Sequence, residues 1–177
     1  MSDVNRKKAC GRRIVIVTNQ GGGCGLNPEK LQDNLTDSLL ADHNLVLLVG
    51  PPGCGKSRKL RELPGVGIIN VGKEVARELM PVPREERAGK VPEILKDLVE
   101  SHAQSVVALD NIELLLLPEL ELDLWSNLDT LSLSKKLIVA WTGRVDGDKI
   151  EWGDPGVPGH LVLSLENYTA GIVSITD

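Results

Sequence analysis

The feature that most constrains this chain is one eight-residue segment, Gly50-Pro51-Pro52-Gly53-Cys54-Gly55-Lys56-Ser57. It matches the pattern G-x-x-x-x-G-K-[ST] in full. An unbroken apolar run at 45–49 precedes it and predicts a buried strand, and residues 57–63 predict a short helix that ends before Pro64. Strand, Gly-rich turn and helix in this order predict a phosphate-binding loop, and a chance Gly-rich turn is the less favoured alternative.

Each residue type in this loop has a chemical reason. Glycines let the backbone curl until its N–H groups point at phosphate oxygens, and the following helix offers the partial positive charge of its N-terminus. Lys56 is predicted to reach the β- and γ-phosphates, and Ser57 to ligate the Mg²⁺ that bridges them. We therefore predict that the stretch from Gly50 to Arg58 binds Mg·ATP, with the preference between ATP and GTP left open.

A second segment supports the same chemistry. Residues 105–109 predict a strand, and the acid Asp110 follows it directly. Ligands of a doubly wound sheet bind at the carboxyl ends of the strands, where an Asp can hold Mg²⁺ through its water shell. An apolar run before an acid is weak evidence alone. Combined with Lys56 and Ser57, it predicts a magnesium site at Ser57 and Asp110.

The residues after Asp110 bear on hydrolysis. Many NTPases of this kind place a Glu directly after the metal-binding Asp, whereas this chain has Asn111, then Ile112 and Glu113. An amide can orient water but cannot accept a proton near neutral pH. Glu113 is therefore an alternative catalytic carboxylate, or else a solvated or capping acid. Thr142, at the end of a predicted strand, is a candidate for contacting the γ-phosphate or the attacking water.

Three arginines are candidates for stabilising charge in the transition state, either in the same chain or across a subunit boundary. They are Arg84, Arg87 and Arg144, and each by itself is more typical of a surface position.

Strands and helices alternate along most of the chain, which predicts a three-layer α/β/α fold around a parallel sheet. Strands are predicted at 45–49, 66–71, 105–109, 137–142 and 161–165, and helices at 29–42, 57–63, 73–80, about 91–99 and 124–133. The 143–160 segment is predicted to be mostly loop, with a short edge strand at 149–152. An extra strand between the two motif segments favours the additional-strand class of P-loop NTPases over compact nucleotide kinases.

Composition excludes several other classes. The 177 residues are 41% hydrophobic and 25% charged, ordinary values for a globular domain, and no apolar run approaches the ~20 residues of a membrane-spanning helix. Aromatic residues make up 2%, which argues against a stacking platform for single-stranded nucleic acid. We expect core or rim positions for the three tryptophans, Trp125, Trp141 and Trp152. The cysteines, Cys10, Cys24 and Cys54, are odd in number and widely spaced, which favours the cytoplasm.

Charge is unevenly distributed. Residues 1–13 carry five basic residues and one acid, although the whole chain has a net charge of −5. A basic arm can contact nucleic acid or a membrane surface, but a solvated tail is the favoured interpretation, and the acidic body argues against gripping duplex DNA. Gly21 to Gly25 lacks a Lys-Ser pair and predicts a linker. We predict an arm or linker at 1–28 and one P-loop NTPase domain at 29–177.

With these residues identified, the chain resembles the BrxF family, small P-loop proteins of type 3 BREX bacteriophage-exclusion systems. The resemblance covers about residues 39–166. Its most specific stretches are Asp110-Asn111-Ile112-Glu113 and Val139-Ala140-Trp141-Thr142-Gly143, which accompany the phosphate loop, Ile69-Asn70-Val71-Gly72 and Lys90-Val91-Pro92-Glu93-Ile94-Leu95.

This resemblance implies an ATP-binding accessory component of a bacterial antiviral defence system, acting beside a methyltransferase, a helicase and larger ATPases. It implies protein partners from that system and does not by itself imply fast hydrolysis. Self-association is a further expectation if a second copy supplies an arginine. Contact with DNA stays open, and no membrane contact is expected.

The expected task is a nucleotide-dependent switch that assembles protein partners. Only 11 residues follow Glu166, too few for the C-terminal helical lid of ring-forming motors, so an autonomous translocase is disfavoured. A weak or partner-stimulated ATPase is the favoured activity. A nucleotide kinase, whose phosphoryl-transfer site the arginines would line, is one alternative. A nucleotide-binding scaffold without turnover, which Asn111 favours, is the other.

Overall fold

The structure, a computed structural model, describes residues 44–153, 156, 160–165 and 170–175. The strand at 14–18 that the apolar sequence Ile-Val-Ile-Val-Thr suggests, the linker at 21–25, the helix at 29–42 and the boundary after residue 28 lie outside these residues. In chain order the strands and helices are β1 Leu45–Gly50, α1 Lys56–Glu62, β2 Val66–Asn70, α2 Val71–Leu79, α3 Arg87–Ser101, β3 Val106–Asp110, α4 Leu124–Ser132, β4 Lys136–Asp146, β5 Lys149–Trp152, β6 Leu161–Ser164 and β7 Gly171–Ser174. Short 3₁₀ turns occur at Arg84–Glu86, Ile112–Leu116 and Pro118–Leu120.

Five strands form a parallel sheet in the order β2-β3-β4-β1-β7. This confirms the predicted α/β fold of the P-loop NTPase type. β4 lies between β1 and β3, the two strands that carry the motif segments. The sequence analysis expected the inserted strand to be the one at 66–71, but that strand, β2, lies at the sheet edge beside β3. The inserted strand is β4, which follows Asp110 in sequence.

The sheet is buried on both faces. Every residue of β1 is apolar or glycine and buried, as expected for a central strand with helices on both sides. Val46 and Leu48 pack with Leu60 of α1 on one face. Leu47 and Val49 belong to a larger cluster on the other face, which α2, α3 and α4 cover. This arrangement gives the three predicted layers.

The helices follow their sequence signals closely. Val91, Leu95 and Val99 are the buried residues of α3, and they share one face because every fourth residue of a helix lies on the same side. α4 begins after Asp123, which caps the helix because its carboxylate accepts a hydrogen bond from the N–H of Ser126 at 3.1 Å.

The prediction is wrong where β4 leaves the parallel sheet. β4 does not end at residue 142 but continues to Asp146, and this outer part pairs antiparallel with β5, which in turn pairs with β6. The segment predicted as a fifth parallel strand, 161–165, is therefore β6 of this antiparallel extension. β5 lies between two strands and is not an edge strand. The fifth parallel strand is β7, which the sequence analysis missed.

In the described part of the chain, no helix occurs after α4, in line with the expectation of no helical lid. None of the described helices combines the length and apolar character needed to cross a bilayer.

Candidate functional site

The loop at 50–57 connects β1 to α1 at the carboxyl edge of the sheet. Gly53 and Gly55 have φ angles of 78° and 86°, a left-handed conformation that glycine adopts without steric cost. A Cβ at Gly50 would lie 2.7 Å from the Sγ of Cys54, so the loop approaches itself too closely for a side chain there. The glycine spacing of the motif is thus a requirement of the observed backbone.

Lys56 folds back along the inside of this loop. Its Nζ donates hydrogen bonds to the carbonyl oxygens of Gly50 at 2.9 Å and Pro51 at 2.8 Å. The residue is only 8% exposed. A nearly buried ammonium is therefore fixed at the loop, where it can meet an anion with little further loss of side-chain entropy.

Ser57 and Asp110 meet although they lie 53 residues apart in the chain. The Ser57 hydroxyl donates to Oδ1 of Asp110 at 2.9 Å, and the backbone N–H of Asn111 donates to the same oxygen at 3.1 Å. Asp110 is 5% exposed. The first turn of α1 and the carboxyl end of β3 thus place two oxygen donors side by side, as the motif predicts.

Asn111 turns the chain at the end of β3. Its backbone is left-handed, with φ 55° and ψ 55°, and its carbonyl accepts a hydrogen bond from the N–H of Gly72 at 3.0 Å. The turn directs the chain into the 3₁₀ turn Ile112–Leu116. There Oε1 of Glu113 accepts a hydrogen bond from the Thr142 hydroxyl at 2.9 Å. The structure therefore joins the two residues that the sequence offers for orienting water.

All of these groups line one cavity of about 360 Å³, within the usual size range of small-molecule sites. Its lining residues are Pro52, Gly53, Gly55, Lys56, Ser57, Asp110, Asn111, Glu113, Ala140 and Thr142. Ala140 is the one lining residue that the sequence analysis did not select as a site residue. A small side chain among the bulky apolar residues of β4 is the signal that could have found it.

The remaining predicted residues lie around the cavity. Gly50 and Pro51 contribute carbonyl oxygens to Lys56, and the half-buried Cys54 has its Sγ 3.8 Å from the same ammonium. Arg58 has an 83% exposed side chain and pairs with Glu62, with 2.9 Å between nitrogen and oxygen. Binding roles for these residues stay predictions.

The three candidate arginines are not among the lining residues of this cavity. Arg84 is exposed, and Arg87 donates to the carbonyl of Val82 at 3.0 Å. Arg144 lies on the outer part of β4, where its Nε is 3.6 Å from Oε2 of Glu151.

Buried tryptophans support the strand that carries Thr142. Trp141 stacks on Trp125 with ring centroids 5.8 Å apart and donates from Nε1 to the carbonyl of Glu151 at 2.9 Å. Trp152 packs against the same core. A Cβ at Gly143 would lie 1.7 Å from the Glu151 carbonyl oxygen, so close pairing of β4 and β5 requires glycine there. Trp125 and Trp141 are core residues and Trp152 is partly buried at its rim, in agreement with the prediction of core or rim positions.

The donors at this cavity fit Mg²⁺ shared with a ligand and do not fit a metal held by protein alone. The described residues contain no group of three or more His, Cys, Asp or Glu able to hold a metal ion. Mg²⁺ commonly takes one or two protein oxygens and completes its octahedron with waters and substrate phosphates. The Ser57 hydroxyl and the Asp110 carboxylate are two such oxygens.

Comparison with known proteins gives short matches. No family model matches the chain, and no solved structure matches it significantly. The sn-glycerol-3-phosphate import ATP-binding protein UgpC of Brucella abortus (strain 2308) is 41% identical over 51 residues, which cover 26% of this chain and 14% of that protein. UgpC of Cupriavidus metallidurans (strain ATCC 43123 / DSM 2839 / NBRC 102507 / CH34) is 39% identical over 54 residues, 28% of this chain and 15% of that protein.

The matched region thus spans about a seventh of the length of these relatives. The similarity agrees with the P-loop ATPase type of fold. It gives no support to the more specific BREX resemblance.

Proposed function

We propose that this chain binds Mg·ATP in the cavity between the loop at 50–57 and the ends of β3 and β4, and that it hydrolyses ATP slowly. The observation that carries the proposal is the hydrogen bond between Ser57 and Asp110 in the cavity that Lys56 also lines. A cation for phosphate and two oxygen donors for a metal converge there.

Phosphate recognition would rest on Lys56 and the loop backbone. The ammonium already donates hydrogen bonds to the carbonyl oxygens of Gly50 and Pro51, so it is held in position before a ligand arrives. Hydrogen bonds from a cation to phosphate are short and roughly twice as strong as neutral ones. The glycine conformations at Gly53 and Gly55 leave the loop backbone uncovered by side chains, which allows a phosphate to approach it.

Ser57 and Asp110 would hold Mg²⁺, with Asp110 acting directly or through a bound water. Mg²⁺ held there would neutralise negative charge on the phosphates. The chain's own contribution is to keep the two donors together, and the backbone N–H of Asn111 helps by fixing the Asp110 carboxylate.

Hydrolysis would depend on Glu113. Water attacks the γ-phosphorus, the bond to the β–γ bridging oxygen breaks, and the proton of the water passes to Glu113, which leaves ADP and inorganic phosphate. Asn111 cannot accept this proton. Glu113 carries the second carboxylate of the cavity, and Thr142 orients it through one of its two oxygens. We expect a turnover well below the ~10 s⁻¹ median of enzymes, because the position directly after Asp110 holds Asn111, which cannot act as a base.

A switch for protein partners is the biological role that we propose for this site. The 3₁₀ turn after Asp110 and the extension after Thr142 both leave the cavity, so a γ-phosphate can order surfaces that a partner contacts. The sequence resemblance to BREX proteins supports protein components of such a cytoplasmic antiviral system as the partners. An arginine from a partner or from a second copy would then raise hydrolysis.

Calorimetry with Mg·ATP tests the binding proposal. Lys56→Ala should weaken binding tenfold or more, about 1.4 kcal/mol. Arg61→Ala, which removes an exposed cation from the same helix, is the matched control and should bind as the wild type does. Equal affinity of wild type and Lys56→Ala, with the fold intact by circular dichroism, would refute the proposed site.

Product analysis separates the alternatives. Release of inorganic phosphate indicates an ATPase, whereas transfer of phosphate to an added nucleoside monophosphate indicates a kinase. Binding without either product, even with partners present, would leave a nucleotide-dependent scaffold.

A further inference from the structure

The first turn of α2 is bonded to the turn that follows Asp110. β2 and β3 pair in a register that places Asn70 opposite Asp110, and α2 begins directly after Asn70. The first N–H groups of a helix have no acceptor within the helix. At Gly72, the second residue of α2, this N–H donates to the carbonyl oxygen of Asn111 at 3.0 Å. α2 therefore holds the left-handed turn that leads toward Glu113.

This hydrogen bond acts on one peptide group. The carbonyl of Asn111 belongs to the peptide that opens the 3₁₀ turn Ile112–Leu116, so its orientation sets the direction in which the chain enters that turn. On the other side of the residue, the N–H of Asn111 donates to Oδ1 of Asp110 at 3.1 Å. Glu113 follows two residues after Asn111, within the 3₁₀ turn. The orientation of this peptide thus determines where the carboxylate that we assign to water activation lies.

A side chain at position 72 would crowd the same carbonyl. A Cβ there would lie 3.2 Å from the Asn111 oxygen, closer than an ordinary van der Waals contact, so a neighbour would have to move. α2 is anchored by its buried residues Val71, Val75 and Leu79, whereas Asn111 is exposed. The element that moves would therefore be the turn at Asn111. Glycine is a poor helix former, so the helix itself does not favour it at this position.

We propose that Gly72 is a positioning residue for hydrolysis. Its hydrogen bond and its lack of a side chain hold the turn at Asn111, and through it Glu113, where that carboxylate receives the proton of the attacking water. This inference rests on the proposed function of the cavity. ATP binding should not depend on Gly72, because Lys56 and Ser57, which we assign to phosphate and metal, belong to α1.

Single-turnover hydrolysis of Mg·ATP, with the protein in excess, tests the inference on Gly72→Ala. We expect the rate of phosphate release to fall at least fivefold, because a small displacement of a reacting group is costly, and the ATP affinity to stay within twofold of wild type. The urea midpoint should stay close to that of wild type, since the higher helix propensity of alanine offsets the displaced contact. Slower hydrolysis with unchanged affinity and stability is a result that a merely structural role would not give.

Gly89→Ala is the matched control. Gly89 is an exposed glycine in the first turn of α3, and in the described part of the chain a Cβ there would meet no heavy atom within 4 Å outside its own helix. This variant should bind and hydrolyse ATP as the wild type does.

A double-mutant cycle with Glu113→Gln identifies the group through which Gly72 acts. Adding Gly72→Ala to Glu113→Gln should lower the rate less than twofold further, because the carboxylate that the turn positions is already removed. A larger further loss, a wild-type rate in Gly72→Ala, or a fall in ATP affinity equal to the fall in rate would overturn this inference alone. A wild type that releases no phosphate, or ATP binding insensitive to Lys56→Ala, would instead overturn the proposed function and this inference with it.

Discussion

Two hydrogen-bonded side-chain pairs line the same cavity, and they are built differently. Ser57 and Asp110 lie 2.9 Å apart with a nearly buried carboxylate that a backbone N–H also contacts. Thr142 and Glu113 also lie 2.9 Å apart, but Glu113 is partly exposed and belongs to a short 3₁₀ turn. The first pair is fixed by strand and helix, whereas the second can exchange partners. In such a site the residues that we assign to metal and phosphate binding are held in place, whereas the residues that we assign to water activation can change position.

The largest effect should come from breaking the fixed pair. Asp110→Ala removes the carboxylate that we assign to Mg²⁺, and we expect phosphate release to fall at least 100-fold, about 2.7 kcal/mol of transition-state stabilisation. Phosphate release by the purified variant measures the effect. Asp129→Ala, in an exposed position of α4, is the control. Turnover within threefold of wild type would show that the fixed pair does not hold the metal.

Breaking the adjustable pair at Glu113 should affect turnover and spare binding. Glu113→Gln retains the size and the hydrogen bond from Thr142 but cannot accept a proton, so turnover should fall about 10- to 100-fold. ATP affinity should stay within twofold of wild type by calorimetry. Glu119→Gln changes an exposed acid of the following 3₁₀ turn and serves as the control, which should change neither turnover nor ATP affinity. Unchanged turnover in Glu113→Gln would mean that another group activates the water.

A smaller effect is expected at Thr142. Thr142→Val retains the shape and removes the hydroxyl that orients Glu113, which should lower turnover about fivefold, the equivalent of one hydrogen bond near 1 kcal/mol. Thr130→Val removes a hydroxyl that bonds to the backbone within α4 and serves as the control. If the two variants hydrolyse ATP equally well, the bond between Thr142 and Glu113 has no part in the reaction.

The smallest effect is expected at Asn111, which follows Asp110 directly in the chain. Substitutions there test whether its backbone conformation or its side-chain amide matters. Asn111 has a left-handed backbone, which a residue with a Cβ adopts at a cost of about 1–2 kcal/mol, with Asn among the most tolerant. Asn111→Gly should retain stability and turnover within twofold, whereas Asn111→Ala should lose about 1 kcal/mol in urea unfolding. A large loss of turnover in Asn111→Gly would give the amide itself a catalytic part.

The same contrast explains what the sequence predicts. The fixed pair belongs to segments with strong local signals: an apolar strand, a motif whose glycines the backbone requires, and an acid at a strand end. These signals predict that Lys56, Ser57 and Asp110 come together, because parallel strands bring their carboxyl ends to one edge, and in the structure the three residues line one cavity. The bond between Glu113 and Thr142 depends on the left-handed turn at Asn111 and on a contact 29 residues away, which no local pattern encodes.

The antiparallel extension escapes prediction for a related reason. A glycine at position 143 is typical of a loop, and the sequence analysis therefore ended the strand before it. In the structure glycine is required there because a Cβ would collide with the Glu151 carbonyl of the paired strand. β7 is missed because it offers only four residues, and its burial comes from pairing with β1. Both strands form because of pairing with distant segments, and a short local sequence pattern does not reveal such pairing.

The most direct test of the account is the Mg²⁺ dependence of ATP binding, measured by calorimetry with excess Mg²⁺ and with a chelator. Wild type should bind ATP at least tenfold more tightly with Mg²⁺, because Ser57 and Asp110 hold the metal against the phosphates. Asp110→Asn, which keeps the size of the side chain and removes its charge, should lose most of that difference. Equal wild-type affinity with and without Mg²⁺, or an undiminished Mg²⁺ effect in Asp110→Asn, would contradict the proposed site.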